Sequence, residues 1–107
     1  MIKCFFTYVL ESIKDGDKYS GFTKNLELRF EKHKKGLVES TKNRRPIKLI
    51  YYEACLNKDD AIRREKYFKT HYGKMFLKKR LKSYFTGWTV LHVLPNPKQD
   101  LSQSWVL

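Results

Sequence analysis

The stretch Tyr19–Gly36, YSGFTKNLELRFEKHKKG, decides how the rest of the chain is read. It opens as a short strand, turns, and continues as a basic helix that stops at Gly36, with Thr23 or Asn25 available as its N-cap. Leu26, Arg29, Phe30 and His33 fall on one side of that helix, because residues three and four apart are neighbours on a helical surface. Leu28 falls on the other side, so the helix is expected to have apolar contacts on two sides and to lie across a sheet.

Upstream, KCFFTYVLE (3–11) is rich in aromatic and β-branched residues and reads as a strand. The segment IKDGDK, centred on Asp15-Gly16, turns it back into Tyr19–Thr23, giving an antiparallel hairpin. Gly21 within a strand pattern points to something approaching the backbone closely. Downstream, LVESTKNRRP is a polar, basic loop ending at Pro46, and IKLIYYEAC is a third strand. Asn57 caps a second helix with Asp59 and Asp60 in its first turn, where the helix dipole favours carboxylates. That helix is expected to run until Gly73, and KMFLKKRLKSYF (74–85) to form a third. The segment WTVLHVLP could add an edge strand before a tail whose Trp105 and Val106 dock on the domain. The result is an α+β fold: a small central mixed sheet of about three strands flanked by helices, in the order β-β-α-β-α-α. Residues 1–87 are expected to form the domain and 88–107 the tail.

The totals narrow the function. At 107 residues there is room for one modest core, and 41% hydrophobic with 15% aromatic residues is enough to fill it. No apolar run approaches the ~20 residues that span a bilayer, and no membrane partner is expected. The N-terminal MIKCFFTYVL lacks a signal-peptide cleavage site and reads as a strand. Cys4 and Cys55 are too few and too far apart for a zinc site or a disulfide framework, so both are expected to be reduced in a cytoplasmic protein. A net charge of +12 calls for an anionic partner, with nucleic acid first, since Lys and Arg neutralise phosphates and release counterions. The alternative is the solvated surface of a basic protein.

Three groups of residues could carry chemistry. Glu65 lies in line with Ala61, Ile62 and Phe68, which turns a carboxylate toward the core, a costly placement unless it meets a cation or a metal. Arg29 offers a planar fork for phosphate oxygens, and His33 can move a proton near neutral pH; without other residues the pair would be only an exposed basic face. Tyr8 and Tyr19, on the two hairpin strands, can donate, accept or act as bases beside cations, although strand tyrosines ordinarily pack in the core.

In order and spacing these residues resemble the GIY-YIG nuclease family, which includes the catalytic domain of the bacterial excinuclease C subunit, some homing endonucleases and many small stand-alone proteins. The resemblance covers residues 3–85. The first family motif falls on Phe6-Thr7-Tyr8, where the tyrosine matches, and the second on Tyr19-Ser20-Gly21, where tyrosine and glycine match. Thr23, Leu26, Arg29 and His33 follow at the family's intervals. RRPIKLIYYE resembles the central strand of the small stand-alone members, and DDAIRREKYFK their next helix, with Glu65 at the metal-binding position. The late asparagine often found in the family has no counterpart in the third helix.

The resemblance implies an endonuclease that hydrolyses phosphodiesters with one divalent metal, Mg²⁺ or Mn²⁺, held by Glu65. Arg29 would stabilise charge on the transferring phosphate, and Tyr19, Tyr8 or His33 would take the proton from water. Gly21 would let the substrate approach, and Lys24, Lys34, Lys35, Lys42, Arg44 and Arg45 would track the backbone of DNA, with RNA not excluded. Repair of DNA is the expected setting. A module that binds DNA or RNA on the same fold without turnover is the competing expectation.

Overall fold

Three strands make one sheet in the order β2-β1-β3: Phe5–Ser12 is β1, Lys18–Thr23 is β2 and Ile47–Cys55 is β3. The computed structural model describes residues 2–86. The helices are α1 (Leu26–Lys34), α2 (Lys58–Tyr67), α3 (His71–Arg80) and the short α4 (Lys82–Thr86), with one 3-10 turn at Lys42–Arg44. The element order β-β-α-β-α-α is therefore observed. The sheet, however, is antiparallel throughout rather than mixed. Strand β3 does run the same way as β2, but the connection through α1 carries it past β1. The two like-directed strands consequently never touch. The first strand in sequence is the central one.

Asn25, rather than Thr23, caps α1: its side chain accepts from the Leu28 N–H at 3.1 Å. Gly36 follows the helix at φ +78°, the left-handed conformation that ends helices. The helix buries one side only. Leu26 and Phe30 pack against Tyr8, Leu10 and Ile47, joined by Tyr19 and Leu49. Leu28 is exposed, so the expected second apolar side is absent.

The opposite face of the sheet receives α2. Thr7 Oγ1 on β1 donates to the Ala61 carbonyl at 2.9 Å, and Ser20 Oγ on β2 donates to the Glu65 carbonyl at 3.3 Å. Arg64 forks onto Glu53 of β3 at 2.9 and 3.0 Å, and Tyr51 donates to the same carboxylate at 2.8 Å. The helix is thus tied to all three strands. Asn57 caps it as expected, accepting from the Asp59 N–H at 2.8 Å.

The described residues divide into two compact units after Tyr67. The first holds the sheet, α1 and α2. In the second, the expectation that Gly73 ends the preceding helix is overturned. Thr70 caps a new helix, its hydroxyl accepting from the Gly73 N–H at 3.2 Å, so Gly73 lies in the first turn of α3. A hydroxyl well placed for capping starts a helix more strongly than one glycine stops it. The expected 74–85 helix is likewise two, because Leu81 leaves helical geometry between α3 and α4. The expected edge strand and docked tail of residues 88–107 lie outside the described residues.

Candidate active site

Strand pairing sorts the side chains before any helix is added. Tyr8 pairs with Gly21 on one side and Tyr52 on the other, and Leu10 pairs with Tyr19. Directly opposed residues of an antiparallel ladder share a face, so Tyr8, Leu10, Tyr19 and Gly21 point to the α1 side. Thr7, Val9, Ser20 and Phe22 point to the α2 side.

On the α1 side the Tyr8 hydroxyl is the meeting point. It lies 3.0 Å from His33 Nε2 and accepts from Arg29 Nε at 3.3 Å. Tyr8 and His33 are each 4% exposed. The two rings meet edge to face at 5.7 Å. The i,i+4 spacing of Arg29 and His33 aims both side chains at one phenol. Gly21 makes room for it: a β-carbon there would come within 2.6 Å of the Tyr8 ring carbon Cζ. The close approach expected at Gly21 is that of the first tyrosine, from within the protein.

Burial, reinforced by the Arg29 charge, pushes the His33 pKa down to about 4. The imidazole is therefore neutral across the physiological range. Its other nitrogen, Nδ1, lies 2.8 Å from Thr41 Oγ1. Tyr19 packs beside this group, and its hydroxyl is held above its ordinary pKa, chiefly by desolvation, against the opposing pull of Arg44. Desolvation therefore makes Tyr19 harder to ionise than an ordinary phenol.

Glu65 stands elsewhere. Its backbone carbonyl is bound by Ser20 of β2, an α2-side residue, and its Oε2 is buried. Tyr8, Tyr19, Arg29 and His33 gather on one face of the sheet, and Glu65 is carried on the other. Strand β2 is an outer strand of the sheet, so its outer edge is where the two faces meet.

The basic residues separate in the same way. Lys34 pairs with Glu31 at 2.9 Å and Lys42 with Glu39 at 3.0 Å, both on the surface. Arg44 bonds Asp15 at 3.0 Å beside Tyr19, while its carbonyl accepts from Ser12 Oγ at 2.6 Å, so it fastens the loop to the β1–β2 turn. Arg45 Nε donates to the Lys42 carbonyl, and its guanidinium lies over Gly36. Lys24 and Lys35 are exposed. Thr41, one hydroxyl in a polar loop, gives no periodic signal in the sequence.

The family model for the GIY-YIG catalytic domain matches residues 4–80. The chain belongs to the GIY-YIG family. A "UPF0213 protein" of Pediococcus pentosaceus is 45% identical over 83 residues, covering 74% of this chain and 86% of the relative. A "UPF0213 protein" of Staphylococcus aureus (strain Mu3) is 39% identical over 67 residues, covering 62% and 80%. No solved structure matches the chain. A GIY-YIG domain is a nuclease domain, which supports phosphodiester hydrolysis at the level of the family.

GIY-YIG nucleases generally depend on a divalent metal, and the donors present can be tested against one. Glu65 offers a hard, buried carboxylate oxygen. Among the described residues no group of three or more His, Cys, Asp or Glu could cage an ion. One carboxylate fits Mg²⁺ or Mn²⁺, which keep several waters and take substrate oxygens, and does not fit a structural zinc site. No helix among the described residues is long and apolar enough to cross a membrane.

Proposed function

We propose that this protein is a divalent-metal-dependent endonuclease acting on DNA, with RNA as the alternative substrate and repair as its setting. The observation that carries the reading is the Tyr8 hydroxyl held between Arg29 Nε and His33 Nε2, in a protein of net charge +12. A pure binding surface gains nothing from burying a neutral histidine against a phenol.

In this reading Glu65 holds the Mg²⁺ or Mn²⁺. When bound, the cation offsets charge that develops on the phosphate and the leaving oxygen. Tyr8 receives the proton of the attacking water while its own proton passes to His33 Nε2, which lies 3.0 Å from the phenol oxygen. The Arg29 N–H stays on the Tyr8 oxygen and steadies the charge that builds there. Tyr19, harder to ionise, orients substrate or water through its hydroxyl. Lys24, Lys34, Lys35, Lys42 and Arg45 neutralise backbone phosphates, and Arg44 serves by holding the loop that presents them.

Nicking of supercoiled plasmid with Mg²⁺, with Mn²⁺ and with chelator tests the reading. Glu65→Ala is expected to lose about a thousandfold in rate, the scale of removing a principal source of electrostatic stabilisation. Cleavage at the wild-type rate by Glu65→Ala would sink the assignment of the metal. Salt-sensitive binding without cleavage would make the protein a binding module.

A further inference from the structure

Residues 37–46, which connect α1 to β3, form a polar loop in which only Thr41 is buried, with none of its surface exposed. It precedes the 3-10 turn Lys42–Arg44. At such a position a threonine hydroxyl ordinarily bonds the turn's own amides. Thr41 makes no such bond. Its Oγ1 turns inward instead and meets His33 Nδ1 at 2.8 Å.

The loop is anchored so that this hydroxyl is held in place. The Thr41 N–H donates to the Val38 carbonyl at 3.1 Å, and the Thr41 carbonyl accepts from the Arg44 N–H at 2.9 Å. Ser12 Oγ donates to the Arg44 carbonyl, and the Ile13 N–H donates to the Pro46 carbonyl at 2.8 Å. A side chain presented from backbone fastened at several points can hold a partner in one orientation.

Hydrogen-bond accounting gives that orientation a direction. Arginine has donors only, so the Tyr8 oxygen accepts from Arg29. Among the described residues, His33 Nε2 is then the one acceptor within reach of the phenolic hydrogen. This leaves the ring hydrogen on Nδ1, facing Thr41 Oγ1. When the Tyr8 proton moves to Nε2, an imidazolium forms whose second N–H already has its acceptor, and no group has to turn. Without that oxygen, a buried N–H would stand unsatisfied beside a growing positive charge.

We propose that Thr41 is a positioning residue for the Tyr8-to-His33 proton transfer, holding the imidazole as the Nδ1–H tautomer with Nε2 toward the phenol. This rests on the nuclease reading above and assigns it a residue outside the family motifs.

The test compares Thr41→Val, which keeps the shape and removes the oxygen, with Thr41→Ser, which keeps the oxygen. In the wild-type protein, ¹⁵N chemical shifts of the His33 ring should report the Nδ1–H tautomer. On plasmid with Mg²⁺, Thr41→Val should lower kcat about 10- to 100-fold with KM nearly unchanged, the usual cost of losing the partner that orients a reactive histidine. Thr41→Ser should stay within about threefold of the wild-type kcat. An Nε2–H ring in the wild-type protein overturns the proposal, as does a Thr41→Val enzyme with undiminished kcat. A Thr41→Ser loss as deep as that of Thr41→Val overturns it too, because it would assign the effect to packing. Should Thr41→Val fail to fold, the wild-type tautomer and the serine variant still decide. The two readings fail differently: a wild-type protein that cleaves nothing sinks the nuclease, whereas an active enzyme with the wrong tautomer sinks Thr41 alone.

Discussion

The two faces of this sheet are built by different means. On the α1 side, side chains bond to one another: Arg29 to Tyr8, Tyr8 to His33, His33 to Thr41. On the α2 side, Thr7 and Ser20 bond backbone carbonyls, and a half-buried Arg64–Glu53 pair with Tyr51 completes the attachment. Hydroxyls that bond backbone fix where a helix lies and leave its outer side chains free to vary. Hydroxyls that bond other side chains fix how those side chains face one another and tolerate little change. The difference separates two kinds of construction: a network of bonded polar side chains on one side, and on the other a mount that carries the buried Glu65 carboxylate oxygen.

Acid should break the α1 side first. In the unfolded chain His33 takes up a proton near pH 6.5, and in the folded protein only near pH 4. Between those values the unfolded state binds more protons, so stability present above pH 6.5 is lost as the pH falls toward 4, by about 3 kcal/mol at most. Urea midpoints at pH 7.5 and 4.5 measure it, and His33→Gln should flatten the difference. Tyr8→Phe should keep the fold and lose about a hundredfold in nicking rate, which is about 2.7 kcal/mol of barrier. Retained activity would move the proton's entry point to another group. Gly21→Ala forces a methyl against the Tyr8 ring; overpacking of this kind costs about 2 kcal/mol. Its melting temperature and nicking rate should fall together, and a lowered melting temperature with full activity would separate Tyr8 from catalysis. Smallest is Arg64→Met, which leaves the partly exposed Glu53 without its forked partner and should cost about 1 kcal/mol. The His33 ring signals should stay unchanged in that variant. A shift in them would show that the two faces are coupled.

Much of this contrast was legible in the residues. The aromatic, β-branched strand around Tyr8, the Asp15-Gly16 turn and the four-residue spacing of Arg29 and His33 are local signals, and the structure brings Tyr8, Arg29 and His33 within hydrogen-bonding distance, with Tyr19 packed beside Tyr8. The carboxylate of Glu65 was rightly read as turned inward, from its alignment with Ala61. That it rides on the opposite face was hidden, because the face a helix covers depends on how the strands pair. Thr41 was invisible for a related reason. Burial within an irregular loop follows from the path of the loop, and that path is set by distant partners, Ser12 and Ile13. Composition counts Arg44 toward an electrostatic track and does not show that its side chain also bonds Asp15 beside Tyr19.

The central position of β1 sets a schedule for synthesis. Phe5–Ser12 leaves the ribosome before the other two strands and can pair with β2 once residue 23 has emerged, a local hairpin that closes quickly. Its other edge stays open until residues 47–55 follow, and such a nascent edge is a site for pairing with the wrong chain. The phenol, the arginine and the imidazole are all translated by residue 33, more than thirty residues before Glu65. If the proposed nuclease mechanism holds, a half-made chain would carry the tyrosine, arginine and histidine without the carboxylate, and would not cut the nucleic acid around it.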